Sequence, residues 1–176
     1  MNVLAKMSDR VADNAVTTSP TIRIAVINDN SAIRERVVRM LRSAADIEVA
    51  GEGATAADAL RIARELGPDV VLLDLHLPEG GAETAASITR VCPEVRTVIL
   101  TASESDRDIT LSLEAGARGY IMASSSGREV VETVRAIARG DSSAAPKLEP
   151  RLLIRNGERI STVVNDNLHD LAFPEK

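Results

Sequence analysis

The sequence predicts an α/β fold built as a doubly wound parallel sheet of five strands. Short apolar runs alternate five times with helical segments. The runs are nearly continuous rather than alternating with polar residues, as expected of a sheet covered on both faces. Right-handed crossovers then favour a layered solution, and roughly 120 residues suit five βα units.

The first strand lies in TIRIAVIND, rich in isoleucine and valine, and Ser31 stands where a helix cap belongs. Ile33, Val37, Met40 and Leu41 then recur at helical spacing. IEVAGEG reads as the second strand and TAADALRIAREL as its helix. DVVLLD is the third strand, ahead of a helix around AETAASITRVC. VRTVILTA precedes the helix SDRDITLSLEAGA, and RGYIM precedes SGREVVETVRAIARG. The domain therefore spans 21–140. Residues 1–20 are polar, mixed in charge and closed by Pro20, so they read as a flexible N-terminal extension. Residues 141–176 read as a linker and C-terminal tail. Within it, Asn156-Gly157 between apolar-bearing flanks signals a short hairpin over 152–161.

Composition narrows the function. In 176 residues, 44% are hydrophobic, enough for one real core. A net charge of −5, with one Tyr, one Phe and no Trp, argues against direct nucleic-acid binding by this chain. The single cysteine, Cys92, builds neither a disulfide framework nor a metal cluster and reads as helix packing. No apolar run approaches the roughly 18 residues of a membrane span, and the N-terminus lacks a signal-peptide block. A cytoplasmic protein is expected, with no membrane partner.

The chemistry is expected at the carboxyl ends of the strands, where open parallel sheets bind ligands. The first strand ends in Asn28-Asp29, the third in Asp74 and the fourth in Thr101, while the fifth passes Tyr120. If strands one and three are neighbours, Asp29 and Asp74 converge. Two adjacent carboxylates repel, and a divalent cation would relieve them; Mg²⁺ uses one or two carboxylates, waters and phosphate oxygens. Asp74 is then a nucleophile or ligand, and Thr101 a donor to a phosphoryl oxygen. An aspartate at a strand end is also an ordinary turn former or helix cap. The joint placement of Asp29, Asp74 and Thr101, with Leu77-Pro78 shortly after the central Asp, carries the functional reading.

With these residues in view, 22–140 resembles the receiver domain of bacterial two-component response regulators. The closest likeness is to the subfamily that precedes a LuxR-type helix-turn-helix, through DIEVAGEGATAADALRIARELGPDVVLLDLHLP and LEAGARGYIM. The resemblance implies a flavodoxin-like (βα)5 fold with strand order 2-1-3-4-5. It implies Asp74 as phosphoacceptor, Thr101 as switch hydroxyl and Tyr120 as switch aromatic. It further implies Mg²⁺ held by Asp29, Asp74 and the backbone carbonyl of His76, with Asn28 contributing weakly or through water.

The sequence departs from that pattern in several places. Asn28 stands where the family usually has a second acid. Ala123 stands where it has a lysine, and Lys6, Lys147 and Lys176 are the only lysines, all outside 21–140. A unit charge about 4 Å from a phosphoryl oxygen contributes up to about 4 kcal/mol at an effective dielectric near 20, so the loss matters. Only an arginine, such as Arg128, could replace it. PEGGA stands where Asp-Gly more often follows the proline. No pair of amphipathic helices follows residue 140, so a DNA-binding output is not expected.

The leading expectation is a regulatory receiver rather than an enzyme. It accepts a phosphoryl group on Asp74 from a sensor histidine kinase or phosphotransfer protein, then engages an unidentified output protein or a second copy of itself. The partner face is expected around the fourth helix, fifth strand and fifth helix, with Arg107, Arg118, Arg128 and Arg135. The alternative is a degenerate receiver, an interaction module independent of phosphorylation, favoured by Asn28 and Ala123. A nucleotide-binding enzyme is disfavoured, because INDNSAIR replaces a Gly-rich phosphate loop.

Overall fold

The computed structural model describes residues 20–102 and 105–140, together with the strand backbones at 153–156 and 159–162. Five βα units appear in the expected order. They are β1 (Ile22–Ile27), α1 (Ser31–Arg42), β2 (Ile47–Gly53), α2 (Ala56–Leu66), β3 (Val70–Asp74), α3 (Gly81–Val91), β4 (Arg96–Thr101), α4 (Asp106–Glu114), β5 (Gly119–Met122) and α5 (Gly127–Arg139). All five strands are parallel, in the order β2-β1-β3-β4-β5. Two further strands, β6 (Leu153–Asn156) and β7 (Arg159–Thr162), pair antiparallel with each other. Of the extension expected over 1–20, residues 1–19 lie outside the described residues, as does the rest of the tail.

Strand alternation sorts the core into two layers. Ile24, Val26, Val70, Leu72, Val98, Leu100 and Ile121 point to one face, where Val37, Val38 and Leu41 of α1 meet Val130, Val134 and Ile137 of α5. Ala25, Ile27, Val71, Leu73, Ile99 and Tyr120 point to the other, against Ile62 of α2, Ile88 of α3 and Leu113 of α4. The continuous apolar runs are thus explained: both faces of each central strand are buried, and Val70 to Leu73 are fully withdrawn from solvent.

Local signals fix the helix ends. The cap of α1 is Asn30 rather than Ser31; its Oδ1 accepts from the N–H groups of Ala32 and Ile33 at 3.0 and 3.2 Å. Both residue types cap well, and the backbone turn at Asn28 decides which one does. Ser126 and Glu129 form a reciprocal capping box on α5. Arg135 of α5 binds Asp46, in the α1–β2 connection, through two bonds of 2.8 and 2.6 Å. It therefore ties α5 to the α1 side and is not part of the partner face expected around α4. The pair is about one-third exposed on each side, so its contribution to stability is modest, about 1 kcal/mol or less.

Because Leu72 packs between the helices of the first layer with no solvent exposure, Leu72→Ala is expected to cost about 2–5 kcal/mol. Urea unfolding followed by circular dichroism should show a lower midpoint at an unchanged slope.

Candidate functional site

The carboxyl rim of the sheet gathers Asn28, Asp29, Asp74, Thr101 and Ala123. The register places Ile27 beside Leu73, Asp74 beside Leu100 and Thr101 beside Met122. β1 and β3 are direct neighbours, so Asp29, just beyond β1, and Asp74, the last residue of β3, share one mouth. Pairing carries on past β5, where the Ala123 N–H donates to the Thr101 carbonyl at 2.7 Å.

Asp74 is only 8% exposed. Burial pushes its carboxyl above the usual carboxylate range, and the negative charge of Asp29 adds to the rise. The His76 N–H, donating to Oδ1 at 2.9 Å, opposes it. Asp29 and the His76 side chain are exposed. Thr101 and Tyr120 are buried at 2% and 3% exposure, on the alternation that faces α4, while Asp74 continues the Val70–Leu72 series facing α1 and α5. The expected nucleophile and the expected switch pair therefore stand on opposite faces of one rim.

Asn28 is buried and committed to local structure. Its Oδ1 accepts from the Asn30 N–H at 2.8 Å, and its backbone carbonyl accepts from Arg34 at 2.6 Å. That oxygen shapes the turn into α1, which leaves Asp29 as the acid that β1 carries to the mouth.

The loop after β3 explains the Gly80-Gly81 pair. Gly80 has φ of 90°, a left-handed conformation that glycine adopts without strain. At Gly81, a Cβ would collide with the carbonyl of Asp74 and lie 2.6 Å from Leu75 Cα. The start of α3 is thus pressed against the backbone of Asp74 and Leu75. PEGGA reads from sequence as a loop variant of little consequence, and the close approach gives it a purpose.

Arg128, the arginine expected to replace a lysine at 123, is fully exposed and bonded to Glu132 at 2.7 Å one turn along α5. A different arginine meets that loop. Arg36 of α1 donates from Nη1 to the Ala123 carbonyl at 2.6 Å and from Nη2 to the Ser125 carbonyl at 3.1 Å. The contact spans 87 residues of sequence, and no local pattern announces it.

Asp29 and Asp74 supply hard oxygen donors whose mutual repulsion a cation would relieve. Among the described residues no three His, Cys, Asp or Glu side chains gather as a metal cluster. Such a donor set suits Mg²⁺, which completes its shell with waters and phosphate oxygens, better than a transition metal. No helix among the described residues is long and apolar enough to cross a membrane.

Residues 24–135 match the family model described as the response regulator receiver domain. The chain is 32% identical over 136 residues to the response regulator GacA of Pseudomonas aeruginosa, a match covering 77% of this chain and 64% of that protein. It thus spans less than two thirds of that relative. Among solved structures it is similar to a LuxR-family two-component response regulator from Aurantimonas sp., at 34% identity and TM-score 0.67. That match covers 72% of this chain and 91% of the other. It is also similar to the signal receiver domain of the response regulator NarL from Mycobacterium tuberculosis, at 31% identity and TM-score 0.66, covering 69% of this chain and 99% of that one.

The raised Asp74 carboxyl has a consequence for stability. A folded pKa above the unfolded value means that the fold favours the neutral form, so ionisation costs stability as pH rises through the carboxylate range. Asp74→Asn, which keeps an acceptor for the His76 N–H, is expected to raise Tm at pH 7 by a few degrees. The difference should shrink as pH falls through the Asp74 pKa, and calorimetry from pH 7 to pH 4 checks it.

Proposed function

Because the chain belongs to the response regulator receiver domain family, the regulatory domains of two-component systems, we propose that Asp74 accepts a phosphoryl group from a phosphohistidine donor. An Asp74 carboxylate oxygen attacks phosphorus, an O–P bond forms, the P–N bond to the donor imidazole breaks, and that nitrogen leaves with the bonding electron pair and takes up a proton. The supporting observation is Asp74 itself, a carboxylate held at the rim by a rigid buried strand beside a second acid. Asp29, Asp74 and the His76 backbone carbonyl would hold Mg²⁺, which neutralises charge on the transferring group.

The consequence of transfer falls on the other face. A hydroxyl at Thr101 can donate to a phosphoryl oxygen, and Thr101 shares its face with Tyr120 and the inner side of α4. Repositioning those residues changes the surface formed by α4, β5 and α5. Leu111 of α4, 45% exposed, offers an apolar contact there, and Arg107, Arg118 and Arg128 are exposed too. An output protein or a second copy of the chain would bind this surface. Phosphorylation acts by shifting a population that already exists.

Incubation with acetyl phosphate and Mg²⁺, followed by intact mass, is expected to give one phosphoryl adduct that Asp74→Asn abolishes. Fluorescence of Tyr120, the single tyrosine in a chain without tryptophan, should change in step with the adduct. Protein that gains neither adduct nor spectral change would instead be an interaction module independent of phosphorylation.

A further inference from the structure

Two arginines of α1 reach the carboxyl rim, and both are held there by backbone carbonyls. Arg34 donates to the Asn28 carbonyl, while Arg36 bridges the carbonyls of Ala123 and Ser125. Arg42, Arg61, Arg128 and Arg135 each face a carboxylate within 4.0 Å, and Arg36 makes no such pair among the described residues. A guanidinium bonded to neutral carbonyls keeps its charge uncompensated. With five N–H donors in a planar fork, it can hold a loop with two and still present positive charge.

The strand alternation gives that charge a direction. Asp74 continues the β3 series that faces α1 and α5, and Ala123 continues the same series two residues past Ile121. Arg36 approaches from α1, on that face. A phosphoryl group on Asp74 would add negative charge beside Asp29, and no lysine lies among residues 20–140 to answer it.

We propose that Arg36 is the positioning cation of the phosphorylated site: it fixes the loop after β5 and sets a permanent positive charge on the α1 side of Asp74, where Ala123 supplies none. The proposal rests on Asp74 being the phosphoacceptor. Arg36 acts through its placement and takes no proton.

The test measures the rate of adduct formation on the full chain against acetyl phosphate concentration, with Mg²⁺ present, at low and high salt. Arg36→Gln is expected to lower the efficiency about tenfold or more, and Arg36→Lys to retain part of it by keeping the charge. Adding Ala123→Lys to Arg36→Gln should restore the rate and its salt dependence. An adduct formed equally by wild type and Arg36→Gln overturns the role of Arg36 alone. A loss that neither lysine relieves also overturns it, leaving Arg36 as scaffolding. No adduct on the wild-type chain overturns the phosphoacceptor reading and this one together. Should Arg36→Gln fail to fold, Ala123→Lys alone decides. A gain under about threefold means that the charge position is already filled, whereas any larger gain means that the site lacked a cation and overturns the proposal.

Discussion

The site depends on a carboxylate delivered to the rim by a strand whose other four residues are fully removed from water. Burying a valine or leucine side chain contributes about 1.5–3 kcal/mol. Burial raises the Asp74 carboxyl, and four buried apolar side chains in β3 stabilise the strand that holds it there. The same burial makes the strand rigid. Gly81 extends the constraint, since α3 begins against the Asp74 backbone and leaves it little room to shift.

The second constraint is the two-residue period of the strands. It sends Asp74 toward α1 and α5, and Thr101 and Tyr120 toward α4. The two faces meet at the rim, where the Ala123 N–H bonds to the Thr101 carbonyl. That bond joins the loop held by Arg36 to the residue beneath α4. The fold sets Asp74 on one face and Thr101 and Tyr120 on the other, with Thr101 on the strand next to that of Asp74 and Tyr120 one strand further.

Much of this was legible in the sequence, and the reasons differ by residue. Apolar runs in DVVLLD and VRTVILTA marked the strands because both faces are buried, and helical spacing at Ile33, Val37, Met40 and Leu41 marked α1. Strand order entered through family resemblance, since periodicity is silent on which strands pair. Asp29, Asp74 and Thr101 could be placed at the rim because a strand end is a local property. Arg36 could not, because its partners are backbone carbonyls 87 and 89 residues away and any residue type supplies a carbonyl. Arg128 is the arginine that the sequence offers as a replacement for the lysine. The helical spacing of four to Glu132 explains why it is engaged elsewhere. Asn30 displaced Ser31 as a cap for a similar reason, since the choice between two good capping residues is made by the turn that Asn28 forms.

Moving a cation from the loop to α1 alters what the site can sense. A lysine at 123 would carry its charge on the segment that it stabilises. An arginine on α1 brings charge to the loop only while α1 keeps its place against α5. That packing is set by Val37, Val38 and Leu41 against Val130, Val134 and Ile137, and is tied at its far end by Arg135 and Asp46. Charge at the rim and packing between α1 and α5 then become one variable. A disturbance at the α1–α5 surface would reach Asp74 through Arg36 without passing through α4, and occupancy at Asp74 would act back on that surface with equal coupling energy.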